Sequence, residues 1–187
     1  MSDFPPSKQV PTLGDKTLAE FRLLARLIPR KVICDTFDSL DLPISGGWGY
    51  SMSDAVVIDR DDKSVNPNLP FHGVGVERQF VLHRLYLELI TARSTETSYA
   101  GISWKLTRQY LHQDSGKTYD RLDCKATALP YLDWLELKNE WEGPNGYGSD
   151  GFDEQKHLQH RETKTVNFPF EVWFDISSFY GRRHPAD

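Results

Sequence analysis

Two cysteines, Cys34 and Cys124, are all that the 187 residues contain. A disulfide framework needs more of them, and a zinc site built from CxxC pairs needs them closer together. Long apolar runs are missing as well, the longest being the four residues from Ala55 to Ile58. That is too short for a membrane-spanning helix or for the hydrophobic part of a secretion signal, so the expectation is a cytoplasmic protein with no membrane partner. Positive charge is in deficit: 27 Asp and Glu face 22 Lys and Arg, a formal net charge of −5. A general nucleic-acid binder needs a basic footprint, which makes nucleic acid an unlikely partner.

Cofactor fingerprints are absent too. Gly73-Val-Gly75 opens like a dinucleotide loop, but Arg78 occupies the third glycine's position. The Gly46-Gly-Trp-Gly-Tyr-Ser51 string lacks the Lys-Ser/Thr pair of a phosphate loop. Asp59-Arg-Asp-Asp62 fails as a calcium loop, because Lys63 takes a ligand position and Ser64 replaces the turn glycine. No cofactor and no metal site is assigned.

What the chain does have is apolar and aromatic bulk, 39% hydrophobic with 10 Phe, 8 Tyr and 5 Trp, enough to fold around a core. The expected fold is a single α+β domain over residues 15–180, between an arm at 1–14 and a tail at 181–187. Thr17-Leu-Ala-Glu20 has the form of a capping box, and Leu18, Phe21, Ala25 and Ile28 recur at helical spacing until Pro29, predicting a helix over 17–28. Lys31–Cys34 and Ala55–Asp59 read as strands. Over 74–91 a wide apolar arc predicts a central helix packed on a sheet, with Glu77, Arg84 and Glu88 in one narrow polar stripe. Ile102–His112 and Lys117–Ala128 read as a β-hairpin around Gln113-Asp-Ser-Gly116, Leu129–Trp141 as a short helix, and His157–Val166 with Phe168–Ile176 as a second hairpin. Together with the N-terminal strands they make a mainly antiparallel sheet.

Three groups of residues are candidates for function. Trp48 and Tyr50 lie among glycines and could be aromatic anchors for a partner, although Trp48 reads better as a plug of the core. Asp59, Asp61 and Asp62 follow an apolar strand and could face a basic protein. Glu-x-Lys occurs three times, at Glu136/Lys138, Glu154/Lys156 and Glu162/Lys164. In metal-dependent nucleases an Asp and a Glu-x-Lys on adjacent strands hold magnesium and position a water, for which Asp123, Glu136 and Lys138 have the best spacing here. His83 reads as a core histidine, and His157 with His160 could share a metal only on a helix. The reading favours a non-enzymatic protein-binding module of inhibitor or immunity type. A magnesium-dependent nuclease is its alternative, and the partner is expected to be another protein, of basic surface.

Overall fold

The computed structural model describes residues 22–38 and 40–182. The arm expected over 1–14, the start of the helix expected over 17–28 and most of the tail lie outside these residues. The described part of that helix, residues 22–27, forms turns.

Helix α1 runs from Pro29 to Thr36, through the stretch expected to be a strand. Proline lacks the N–H that a first helical turn leaves unpaired anyway, and its fixed φ suits that position. Pro29 therefore starts a helix instead of ending one. Strands β1 (Ile44–Gly46) and β2 (Val56–Ile58) follow. Helix α2 spans Gly73–Tyr86 and continues as a π-helical turn over Leu87–Thr91. Then come β3 (Tyr99–Asp114), β4 (Lys117–Pro130), α3 (Tyr131–Glu142), α4 (Glu154–Lys164) and β5 (Val166–Asp175).

The strands form one sheet in the order β1-β2-β5-β4-β3, antiparallel except where β2 runs parallel to β5. The expected α+β class with a mainly antiparallel sheet is what the chain adopts. The first hairpin is also as expected, closed by Ser115 and Gly116 with φ of 49° and 78°. Two successive positive φ angles make the tight turn that matches the twist of the flanking strands.

The second expected hairpin is corrected. Residues 154–164 are α4, entered through Asp153, whose carboxylate accepts the Lys156 N–H at 2.9 Å, and only β5 is a strand.

Helix α2 packs against one face of the sheet, where Phe80 touches Trp48 and Phe174 edge-on or tilted, at centroid separations of 5.9 and 5.7 Å. Leu122, Cys124, Ala126 and Ala128 of β4 and Phe168, Phe170, Val172 and Phe174 of β5 complete this core. The charged stripe of α2 is turned inward: Glu77, Arg84 and Glu88 are 2%, 3% and 0% exposed, while Val74, Leu82 and Tyr86 stand on the surface. No described helix is long and apolar enough to cross a membrane.

Candidate functional site

The Gly46–Ser51 loop places its aromatics in the core. Trp48 is 1% exposed, and its indole N–H donates to the Leu27 carbonyl at 2.9 Å. Asp54 fastens the loop by accepting the N–H groups of Trp48 and Tyr50, and the Gly49 carbonyl accepts from Trp173 N–H at 3.0 Å. Gly49 has a φ of 74°, and a Cβ there would meet Val172 at 2.8 Å, so the close approach to β5 requires glycine. Trp48 is thus the core plug it reads as, and the anchor role for Trp48 and Tyr50 is corrected: neither ring is presented to a partner.

Beneath this loop lies a buried polar cluster. The Arg84 guanidinium stacks 4.2 Å from the Tyr50 ring centre, donates to the Trp48 carbonyl at 3.1 Å, and stands 3.6 Å from Glu88. The Tyr50 hydroxyl donates to the same Glu88 oxygen, and Arg93 donates to the Glu88 carbonyl at 2.6 Å. Burial pushes the Glu88 carboxyl up to about 7, against the opposing pull of Arg84. Burial and the neighbouring Glu88 push the Tyr50 phenol well above its ordinary range. Arg84 and Glu88 are closed in by protein, which makes the cluster a structural pin between α2 and the loop.

A second buried group escaped the sequence reading. Glu77 on α2 is raised to about 8, first by burial and then by the field of Asp120 on β4. Asp120 is itself raised by burial, with one oxygen accepting from Gln109 and the other unpartnered. At 2% and 4% exposed, Glu77 and Asp120 both belong to the core.

The acidic turn is less acidic than its sequence suggests. Arg30 reaches both Asp41 and Asp62 at 2.7 Å, holding the Asp62 carboxyl well below the usual range. Asp61 stays exposed with Arg182 at 3.6 Å, and Asp59 receives the Asp61 N–H at 2.9 Å. Asp62 is thus an internal partner of α1, leaving Asp61 as the exposed member of that turn, with Asp59 half-buried beside it.

The three Glu-x-Lys pairs all lie on helices, Glu136/Lys138 on α3 and the other two on α4. Residues two apart on a helix point about 200° away from each other, whereas on a strand they share a face. Each group also has its own neighbour: Asp123 pairs with Arg121 at 2.8 Å, Lys138 with Glu142 at 3.8 Å, and Glu136 with Lys164 at 3.5 Å. Asp123, Glu136 and Lys138 are corrected accordingly and do not make a joint site. His157 and His160 share α4, but both face Glu140, at 3.3 and 3.1 Å, and hold that carboxyl below its usual range. Among the described residues no three His, Cys, Asp or Glu are grouped to hold a metal. His83 receives the edge of Phe37 and bonds the Gln79 carbonyl at 2.6 Å.

The open side of the sheet is where unclaimed surface gathers. Strand β3 is 16 residues long, lies at the edge of the described sheet and, among the described residues, pairs only with β4. A bulge between Leu106 and Arg108 shifts its alternation, so Leu106 and Leu111 share the α2-side face although five residues apart. Both are exposed, Leu111 by half. On the opposite face Tyr110, Arg121 and Trp173 align across β3, β4 and β5. The Arg121 guanidinium lies 5.5 Å from one ring centre and 5.6 Å from the other, held flat by Asp123 and Glu171 at 2.8 and 3.1 Å. His112 adds a ring 4.9 Å from Trp173.

Comparison with known proteins finds no matching family model, no matching curated protein and no matching solved structure. The functional reading therefore rests on this geometry.

The alternation of β3 was visible in the sequence as a mixed polar and aromatic run. Its position at the edge was not, because strand order depends on long-range pairing that no local pattern encodes.

Proposed function

We propose that the protein is a non-enzymatic protein-binding module that takes an extended segment of its partner along the free edge of β3. The observation that carries this is the edge itself: among the described residues no strand lies on the outer side of β3, and a long strand with one side open is a template for another strand. Main-chain bonds give such a complex its affinity, and alternate side chains give it specificity. Here Leu106 and Leu111 supply apolar contacts on one face. Tyr110, Arg121 and Trp173 supply on the other the three residue types richest in interface hot spots.

Lys105 and Arg108 beside the bulge deter indiscriminate pairing and select a partner strand with acidic residues. The same charges meet like with like in a second copy of this strand. An inhibitor or immunity role against a basic partner would instead engage Asp59 and Asp61.

Capture from lysate with three surface variants tests the reading. Leu111→Lys and Tyr110→Ala are expected to lose the captured protein while Asp61→Lys keeps it. Loss with Asp61→Lys alone would overturn the β3 reading in favour of the acidic turn.

A further inference from the structure

Between α3 and α4 opens a cavity of about 420 Å³, within the usual size of a small-molecule site. Trp134, Trp141 and the exposed Leu158 form its apolar walls, and His157, Lys138 and Arg161 are its basic members. A second hollow of about 540 Å³ adjoins it, sharing Leu158 and Arg161, and extends to Lys125 on β4. Arg161 thus stands at the junction of two hollows.

The cations differ in how far they are already engaged. Lys138 lies over the Trp134 ring at 5.3 Å with Glu142 at 3.8 Å, and His157 faces Glu140 at 3.3 Å with its ring 5.1 Å from Trp141. Arg161 has no ion-pair partner among the described residues, although Glu162 lines the second hollow beside it. An exposed guanidinium lining one cavity with two indoles, each stacked on its other side by a tyrosine (Tyr131 at 5.7 Å and Tyr147 at 4.4 Å), is complementary to a ligand that is flat, apolar and singly negative. The planar fork receives a carboxylate through two parallel N–H bonds, and indoles pack well on an aromatic ring.

We propose that this groove binds a small aromatic carboxylate, its ring against Trp134 and Trp141 and its carboxylate on Arg161. Glu142 and Glu162 at the rim exclude dianions and favour a single negative charge.

The test titrates the full chain with 2-naphthoate and, separately, with the neutral 2-naphthylmethanol, following tryptophan fluorescence and heat of binding. Saturable binding of naphthoate is expected, with Arg161→Gln weakening it about tenfold or more, the loss that follows from one charge-assisted hydrogen-bonded contact. The neutral alcohol should bind both proteins alike. Leu158→Asp, at an exposed rim position, should also weaken naphthoate without lowering the melting temperature. No saturation with the folded parent, or equal affinity of the parent and Arg161→Gln for naphthoate, would overturn the proposal. The second result would move any binding to another surface, such as the ring of Trp173.

Discussion

Replacing Glu77 by Gln should remove a pH dependence that the folded protein carries because of one buried proton. Glu77 is 2% exposed, and its carboxyl is raised from 4.5 to about 8 by burial and by Asp120. Between these two values the folded chain keeps the proton and the unfolded chain has lost it. The folded state thus binds more protons, and stability falls as pH rises. The contribution is fully present below pH 4.5 and gone above about 8. At about 1.4 kcal/mol per pH unit, a gap of about 3.5 pH units amounts to about 5 kcal/mol, comparable with the whole stability of a small domain. Gln keeps the shape and cannot ionise. Urea midpoints of both proteins at pH 5, 6, 7 and 8 should show the parent falling steeply and the variant falling less, so that Glu77→Gln is the more stable of the two at pH 8. Glu88 is also raised and slopes in the same direction, but it is common to both chains and cancels in the difference. Parallel profiles would refute the reasoning.

Trp48→Ala should lower stability by about 3–5 kcal/mol in chemical denaturation, since it empties a fully buried site and orphans the Leu27 carbonyl. Glu88→Ala should cost about 3–5 kcal/mol by leaving Arg84 as a buried charge without its carboxylate, whereas Tyr50→Phe, which removes one hydroxyl from the same cluster, should cost about 1–3 kcal/mol; equal losses would mean that the cluster is not held by its charges. Asp62→Asn should destabilise by about 1 kcal/mol near neutral pH, and the difference from the parent should vanish as pH falls through the depressed Asp62 value, because the parent then loses its carboxylate too.

Much of the fold was legible because its signals are local. The wide apolar arc of α2 and the Asp-Ser-Gly turn between the two strands of the first hairpin each announce their elements. The misreadings are also physical. Pro29 was read as a stop, although the same ring is favoured at a helix start, and only the fate of the preceding residues decides between the two. Residues 157–166 precede an apolar strand and so read as its hairpin partner, yet their Glu, Gln, Lys and Arg are good helix formers and Asp153 caps them. Glu77, Arg84 and Glu88 lay in one stripe that resembled a solvated face. The burial of Arg84 and Glu88 follows from partners supplied by the Trp48 carbonyl and Tyr50, far away in sequence, and that of Glu77 from its place between α2 and β4. Site residues were least legible for that reason: Tyr50 and Asp62 are conspicuous in the chain but are consumed internally, by Glu88 and Arg30.

Hydrogen exchange of the protein bound to its captured partner tests the central claim most directly. The free edge of β3 predicts that amides of residues 104–113 gain protection in the complex while those of 59–62 exchange as in the free protein. Protection confined to 59–62, with β3 exchanging unchanged, would contradict it.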